Sequence, residues 1–138
     1  MWPRVAATVS GARLALAGRG TPYGEVDDAT RFLHGLHVLV YPVERGSGMK
    51  VKTLEALAAG VPVVTTPEGA EGVPPSDGVL VAIEDAELAA HTARLLSDPG
   101  ERAQRAAAAR RTFDEHLSPP VAGAALAALY ERMLKSRS

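Results

Sequence analysis

The sequence predicts an α/β domain in which a mostly parallel sheet is flanked by helices. Three observations carry that expectation. Short runs rich in β-branched residues alternate with helical periodicities up to about residue 83. Beyond residue 84 the pattern turns helical and stays so. The 138 residues, 46% hydrophobic and 22% charged, suit one globular domain with a modest core. A single domain over 1–138 is expected, with a helical C-terminal section over about 84–137.

The elements follow in order. Arg13-Leu-Ala-Leu-Ala17 reads as a short strand closed by Gly18-Arg19-Gly20. Asp27-Asp28 supplies a cap for a helix running to about His34, with Gly35 at its end. His37-Val-Leu-Val-Tyr41 is the best strand, stopped by Pro42. The loop Glu44-Arg-Gly-Ser-Gly48 leads into a helix from about Met49 to Ala59, which Gly60 ends. Val61-Pro-Val-Val-Thr-Thr66 is a second buried strand, its proline near the start where a ladder tolerates it. Gly78-Val-Leu-Val-Ala82 is another. A helix then covers roughly Asp85 to Leu96. The next starts at Asp98-Pro-Gly-Glu101, with aspartate as N-cap, proline at N1 and glutamate at N3, and runs to about His116. Ser118-Pro119 opens a final helix whose apolar stripe includes Val121, Ala125, Leu129 and Met133.

Bulk properties exclude several functions. Fifteen Lys and Arg against 16 Asp and Glu leave a net charge of −1, which argues against a broad nucleic-acid surface. The absence of cysteine excludes disulfides, thiolate metal sites and cysteine nucleophiles, and fits a reducing cytoplasm. Apolar runs such as Leu36–Val43 fall far short of a membrane span, and no signal peptide opens the chain. His34 and His37 straddle a helix end, which does not make a metal site, and His91 and His116 sit among helical alanines and charges. There is no Ser-His-Asp arrangement and no carboxylate pair with an acid/base role.

The chemistry concentrates in Pro42-Val-Glu-Arg-Gly-Ser-Gly-Met-Lys-Val-Lys-Thr-Leu-Glu55. A strand ends, a glycine-rich loop follows and a helix begins, so unpaired N–H groups and the positive helix end converge on one spot that suits a phosphate. Gly46 and Gly48 permit close approach of a ligand to the backbone. Lys50 and Lys52 lie in the expected first turn, where each opposes the helix dipole by about 0.3–1 kcal/mol unless an anion binds there. Val51, Leu54, Leu57 and Ala58 form an apolar arc with Glu55 at its edge. That carboxylate has two readings: it pairs with Lys52, or it meets a ligand hydroxyl. The spacing is neither GxGxxG nor a Walker loop. Arg19, Arg45, Glu68 and Glu71 are weaker candidates: the two arginines read more readily as solvated turn residues, and the glutamates also read as turn chemistry.

The block Gly46-Ser-Gly-Met-Lys-Val-Lys-Thr-Leu-Glu-Ala-Leu-Ala-Ala-Gly-Val-Pro-Val-Val-Thr-Thr66, followed by Gly69-Ala-Glu-Gly72, closely resembles the donor half of family 4 (group 1) glycosyltransferases. Leu-Ala-Gly-Arg-Gly20, Gly24-Glu-Val-Asp27 and the ending Leu-Tyr-Glu-Arg-Met-Leu134 extend the resemblance over nearly the whole chain. It implies a Rossmann-like, nucleotide-sugar-binding C-terminal domain of a GT-B enzyme that transfers a hexose-type sugar with retention. The donor is a nucleotide-diphosphate sugar, and neither a cofactor nor a bound metal is implied. By position, Glu55 matches the second glutamate of the family's E-x7-E motif, which holds ribose hydroxyls, while Ser47 stands at the first. Gly48, Met49 and Lys50 match the loop facing the diphosphate and sugar, and Gly46, Ser47 and Lys52 belong to the same donor-binding set.

The departures define the remaining expectations. The family's acceptor-binding domain and its usual first strand, central in a sheet of order 3-2-1-4-5-6, are not in this sequence, so the resemblance is to a truncated domain. Residues 1–10 match at best the tail of the first helix, and Thr21–Tyr23 leaves no room for a complete crossover. An acceptor-domain polypeptide or a second copy of the chain is the expected partner. A non-catalytic nucleotide-binding or interaction module, or an inactive fragment, is the alternative.

Overall fold

The computed structural model describes residues 1–46 and 50–135. Three short parallel strands form the sheet: β1 (Leu39–Tyr41), β2 (Val63–Thr65) and β3 (Val79–Val81), in the order β1-β2-β3. Leu39 lies opposite Val63 and Tyr41 opposite Thr65, while Val63 and Thr65 face Val79 and Val81 on the other side. Every residue of β2 is buried. Its unbroken Val-Val-Thr run is what a central parallel strand covered on both faces requires.

Among the described residues, six α-helices accompany the sheet: α1 (Trp2–Thr8), α2 (Ala29–His34), α3 (Val51–Ala58), α4 (Asp85–Ser97), α5 (Pro99–Thr112) and α6 (Pro119–Lys135). The two-residue period of β2 divides the core. Val63 points into a cluster with Leu33, Ala56, Leu57, Val61 and Ala109, which draws α2, α3 and α5 onto one face. Val64 points the other way, toward Ala82, Leu88 and Leu95, and α4 covers that face with α1 against it. The expected Rossmann-like arrangement of a parallel sheet between helices is present.

Several local rules act as the sequence implies. The Asp28 side chain accepts from the Arg31 amide, and Asp98 accepts from the Glu101 amide at 2.8 Å, so both aspartates cap their helices. The Glu101 carboxylate does not reach back to close a capping box; it pairs with Arg94 and Arg105. Gly60 follows α3 with φ of 67°, a left-handed turn that a side chain would strain. At the other end of β3, a Cβ on Gly78 would stand 2.5 Å from the Ala109 backbone, so α5 packs here only on glycine. Arg110 Nη1 donates to the Ala58 carbonyl at 2.6 Å, a cation on the negative end of α3. A hydrogen bond with Asp114 raises the pKa of that guanidinium further.

Three expectations need correction. Residues 13–17 do not form a strand, and Leu14 and Leu16 are exposed. A strand propensity is realised only beside a ladder partner, and here the segment turns on itself, with Gly18 N–H donating to Gly24 and Tyr23 N–H to Leu16. The helix expected to reach His116 is α-helical only to Thr112, after which Phe113–Leu117 widens into a π turn. The arc on α3 is rotated: Val51 is exposed, and Thr53, Ala56 and Leu57 are the buried residues.

At the N-terminus, α1 supplies the helix tail expected there, with Val5 fully buried and Trp2 partly buried. At the other terminus, α6 follows the π turn without burying any residue; Leu129 and Met133 of its stripe are exposed, as is Leu126. Among the described residues, no helix is long and apolar enough to cross a membrane.

Candidate functional site

Because the strands are parallel, their C-terminal ends and the loops leaving them share one end of the sheet, the end where open α/β sheets bind ligands. The loop after β1 and the loop after β2 are joined there by threonines. Thr65 Oγ1 donates to the Tyr41 carbonyl at 2.6 Å, and Thr66 Oγ1 donates to the Val43 carbonyl. From α3, the buried Thr53 hydroxyl donates to the Gly69 carbonyl at 2.7 Å. Gly69 lies in a 3₁₀ turn (Glu68–Ala70) so close to β2 that a Cβ would collide with the Thr65 hydroxyl. These bonds hold the start of α3 against both loops.

Lys50, expected inside the first turn, is instead the N-cap of α3, one residue before the helix begins, and only 4% of it is exposed. Its ammonium donates to the Gly46 carbonyl at 2.7 Å and lies 3.5 Å from the Glu71 carboxylate. A cation is thus buried at the positive end of a helix, a placement that demands nearby anionic or carbonyl oxygen. Lys52 is exposed and sits 5.9 Å from the centre of the Tyr41 ring.

Glu55 is exposed on α3, and among the described residues neither a hydrogen bond nor an ion pair holds its carboxylate. The pairing with Lys52 that the spacing allows is not formed; Lys52 turns to Tyr41 instead. Lys50 therefore contacts both Gly46 and Glu71, with Lys52 and Glu55 on the helix that it caps. Ser47, Gly48 and Met49, also expected in the donor-binding set, lie outside the described residues.

The outlying candidates are less involved. Arg19 is nine-tenths exposed and pairs with Glu25 within its own loop. Arg45 is exposed next to Gly46, and Glu68 is exposed at the start of the 3₁₀ turn. Thr53, Thr65, Thr66 and Gly69 went unrecognised in the sequence; the adjacent threonines closing a strand were the one available signal. Among the described residues, no group of histidine, aspartate and glutamate side chains is placed to hold a metal ion. A separate surface cavity of about 450 Å³ between α1 and α4, floored by Ala89 and Ala93 and flanked by Arg4 and Arg94, shares no residue with this end of the sheet.

The family model for glycosyl transferases group 1 matches residues 1–98, which takes in the whole sheet, α3 and both loops of the site. The chain belongs to the group 1 glycosyltransferases. Within this glycosyltransferase domain the matched region stops at the end of α4, so α5 and α6 lie beyond it. No curated protein and no solved structure gives a significant match. Membership supports glycosyl transfer as the general activity of the scaffold.

Proposed function

We propose that this domain is the donor-binding half of a retaining glycosyltransferase and holds a nucleotide-diphosphate sugar at the start of α3. The observation that carries this reading is the exposed Glu55 carboxylate, held by none of the described residues, about 1.4 turns along α3 from the buried Lys50 cation at its N-cap. A carboxylate accepts the paired hydroxyls of a ribose, and the lysine with the helix N-terminus favours a diphosphate. The two groups fit opposite ends of one nucleotide.

The chemistry explains the need for the cation. When the bond between the anomeric carbon and the diphosphate oxygen breaks, its electron pair leaves with the diphosphate. Donors already in place stabilise that charge without reorganisation. Lys50 is fixed by Gly46 and sheltered from water, and Lys52 stands beside it in the first turn of α3. The acceptor would be presented by another polypeptide or a second copy of this chain, and the domain needs no cofactor of its own.

Calorimetric titration with several nucleotide sugars tests the reading. Wild type binds one of them with micromolar-to-millimolar affinity, and Glu55→Ala and Lys52→Ala each weaken it about tenfold, the loss of one hydrogen bond to a charged group. Absence of heat with every donor would refute it.

A further inference from the structure

We propose that Glu71 is an internal stand-in for the ligand's phosphate: its carboxylate neutralises Lys50 in the empty site and is exchanged for a phosphate oxygen when a diphosphate binds. The inference rests on the reading of the site given above and adds to it a built-in competitor.

The pair is lopsided. Lys50 is 4% exposed, whereas the Glu71 side chain is 67% exposed. The carboxylate therefore stands on the solvent side of a buried ammonium. An ammonium carries three N–H groups. One is committed to the Gly46 carbonyl at 2.7 Å, and the Glu71 oxygen faces the group at the longer separation of 3.5 Å. The shorter bond fixes the lysine, and the longer contact is the one free to be replaced.

The surroundings separate a fixed floor from a movable cover. The 3₁₀ turn that carries Glu71 into place is anchored by the buried bond from Thr53 to the Gly69 carbonyl. Past that anchor, Glu71 and Gly72 are exposed, so the carboxylate swings away by side-chain rotation while the turn stays put. Leaving a buried lysine without any anion is costly, so the exchange happens only when another anion arrives. A diphosphate, with two or more negative charges against one for a carboxylate, is a suitable replacement.

The test is titration with inorganic pyrophosphate and with nucleoside diphosphate sugars, with the unfolding midpoint of each variant confirming its fold. Glu71→Gln binds pyrophosphate roughly three- to tenfold tighter than wild type, because no internal anion has to leave. Glu71→Asp, one methylene shorter, falls between, and Lys50→Met loses binding. Glu68→Gln, an equally exposed carboxylate three residues earlier, changes affinity less than twofold, which separates displacement from a general change in charge. Equal tightening by Glu68→Gln and Glu71→Gln, unchanged or weaker binding by Glu71→Gln, or failure of every form to bind would overturn the proposal. If Glu71→Gln tightens pyrophosphate as expected but a nucleoside adds nothing and Glu55→Ala matches wild type, the exchange stands and the nucleotide-sugar reading falls.

Discussion

The hydroxyl of Thr53 donates to the carbonyl of Gly69 across 2.7 Å of buried interior, sixteen residues apart in sequence. The bond ties the buried side of α3 to the loop behind β2, and Thr53 itself is fully buried. Removing the hydroxyl without changing the shape strands the carbonyl. Thr53→Val is expected to lower stability by about 1–3 kcal/mol, and Thr53→Ser to recover most of the bond at a smaller packing cost. Urea unfolding of both variants checks the order.

Two glycines make opposite predictions. At Gly78 a Cβ would overlap the Ala109 backbone at 2.5 Å, and neither partner is a flexible side-chain end. Gly78→Ala should cost about 1–3 kcal/mol or more as α5 is pushed from the sheet. Gly123, inside α6, has open space around it. Gly123→Ala should raise helix stability by about 1 kcal/mol. Circular dichroism melts of the two variants should move in opposite directions.

The cap of α5 is a third test. Asp98 accepts the Glu101 amide at 2.8 Å, with Pro99 in the first helical position. Asp98→Ala should lose about 0.5–2 kcal/mol and Asp98→Asn much less, measured by denaturant midpoint.

Stability and binding should come apart at Glu55. Its side chain is exposed and engages none of the described residues, so Glu55→Ala should stay within about 0.5 kcal/mol of wild type in stability while losing affinity for the nucleotide sugar. A large drop in the unfolding midpoint would show that the residue serves the fold instead.

What could be read in advance was what short-range physics decides. The alternation of β-branched runs with helical periods pointed to the parallel sheet, Gly60 and Asp98 marked helix ends, and the Gly46–Glu55 stretch marked the candidate site. What escaped depended on neighbours distant in sequence. Leu14 and Leu16 have strand propensity but no ladder beside them. Thr53 turns inward, displacing Val51, because its hydroxyl finds Gly69. Lys50 is buried because Glu71, twenty-one residues later, is within reach. No periodicity encodes those meetings.

The single tryptophan of the chain sits, partly buried, in α1, the helix that lies against α4 on the face of the sheet opposite α3. Its emission is thus an optical gauge of whether the N-terminal helix is seated, blind by position to events around Lys50. Tyr41, under Lys52 at the other end, is one of three tyrosines and shares its emission band with Tyr23 and Tyr130. Tryptophan emission from this protein therefore reads the N-terminal helix alone, without any label being attached.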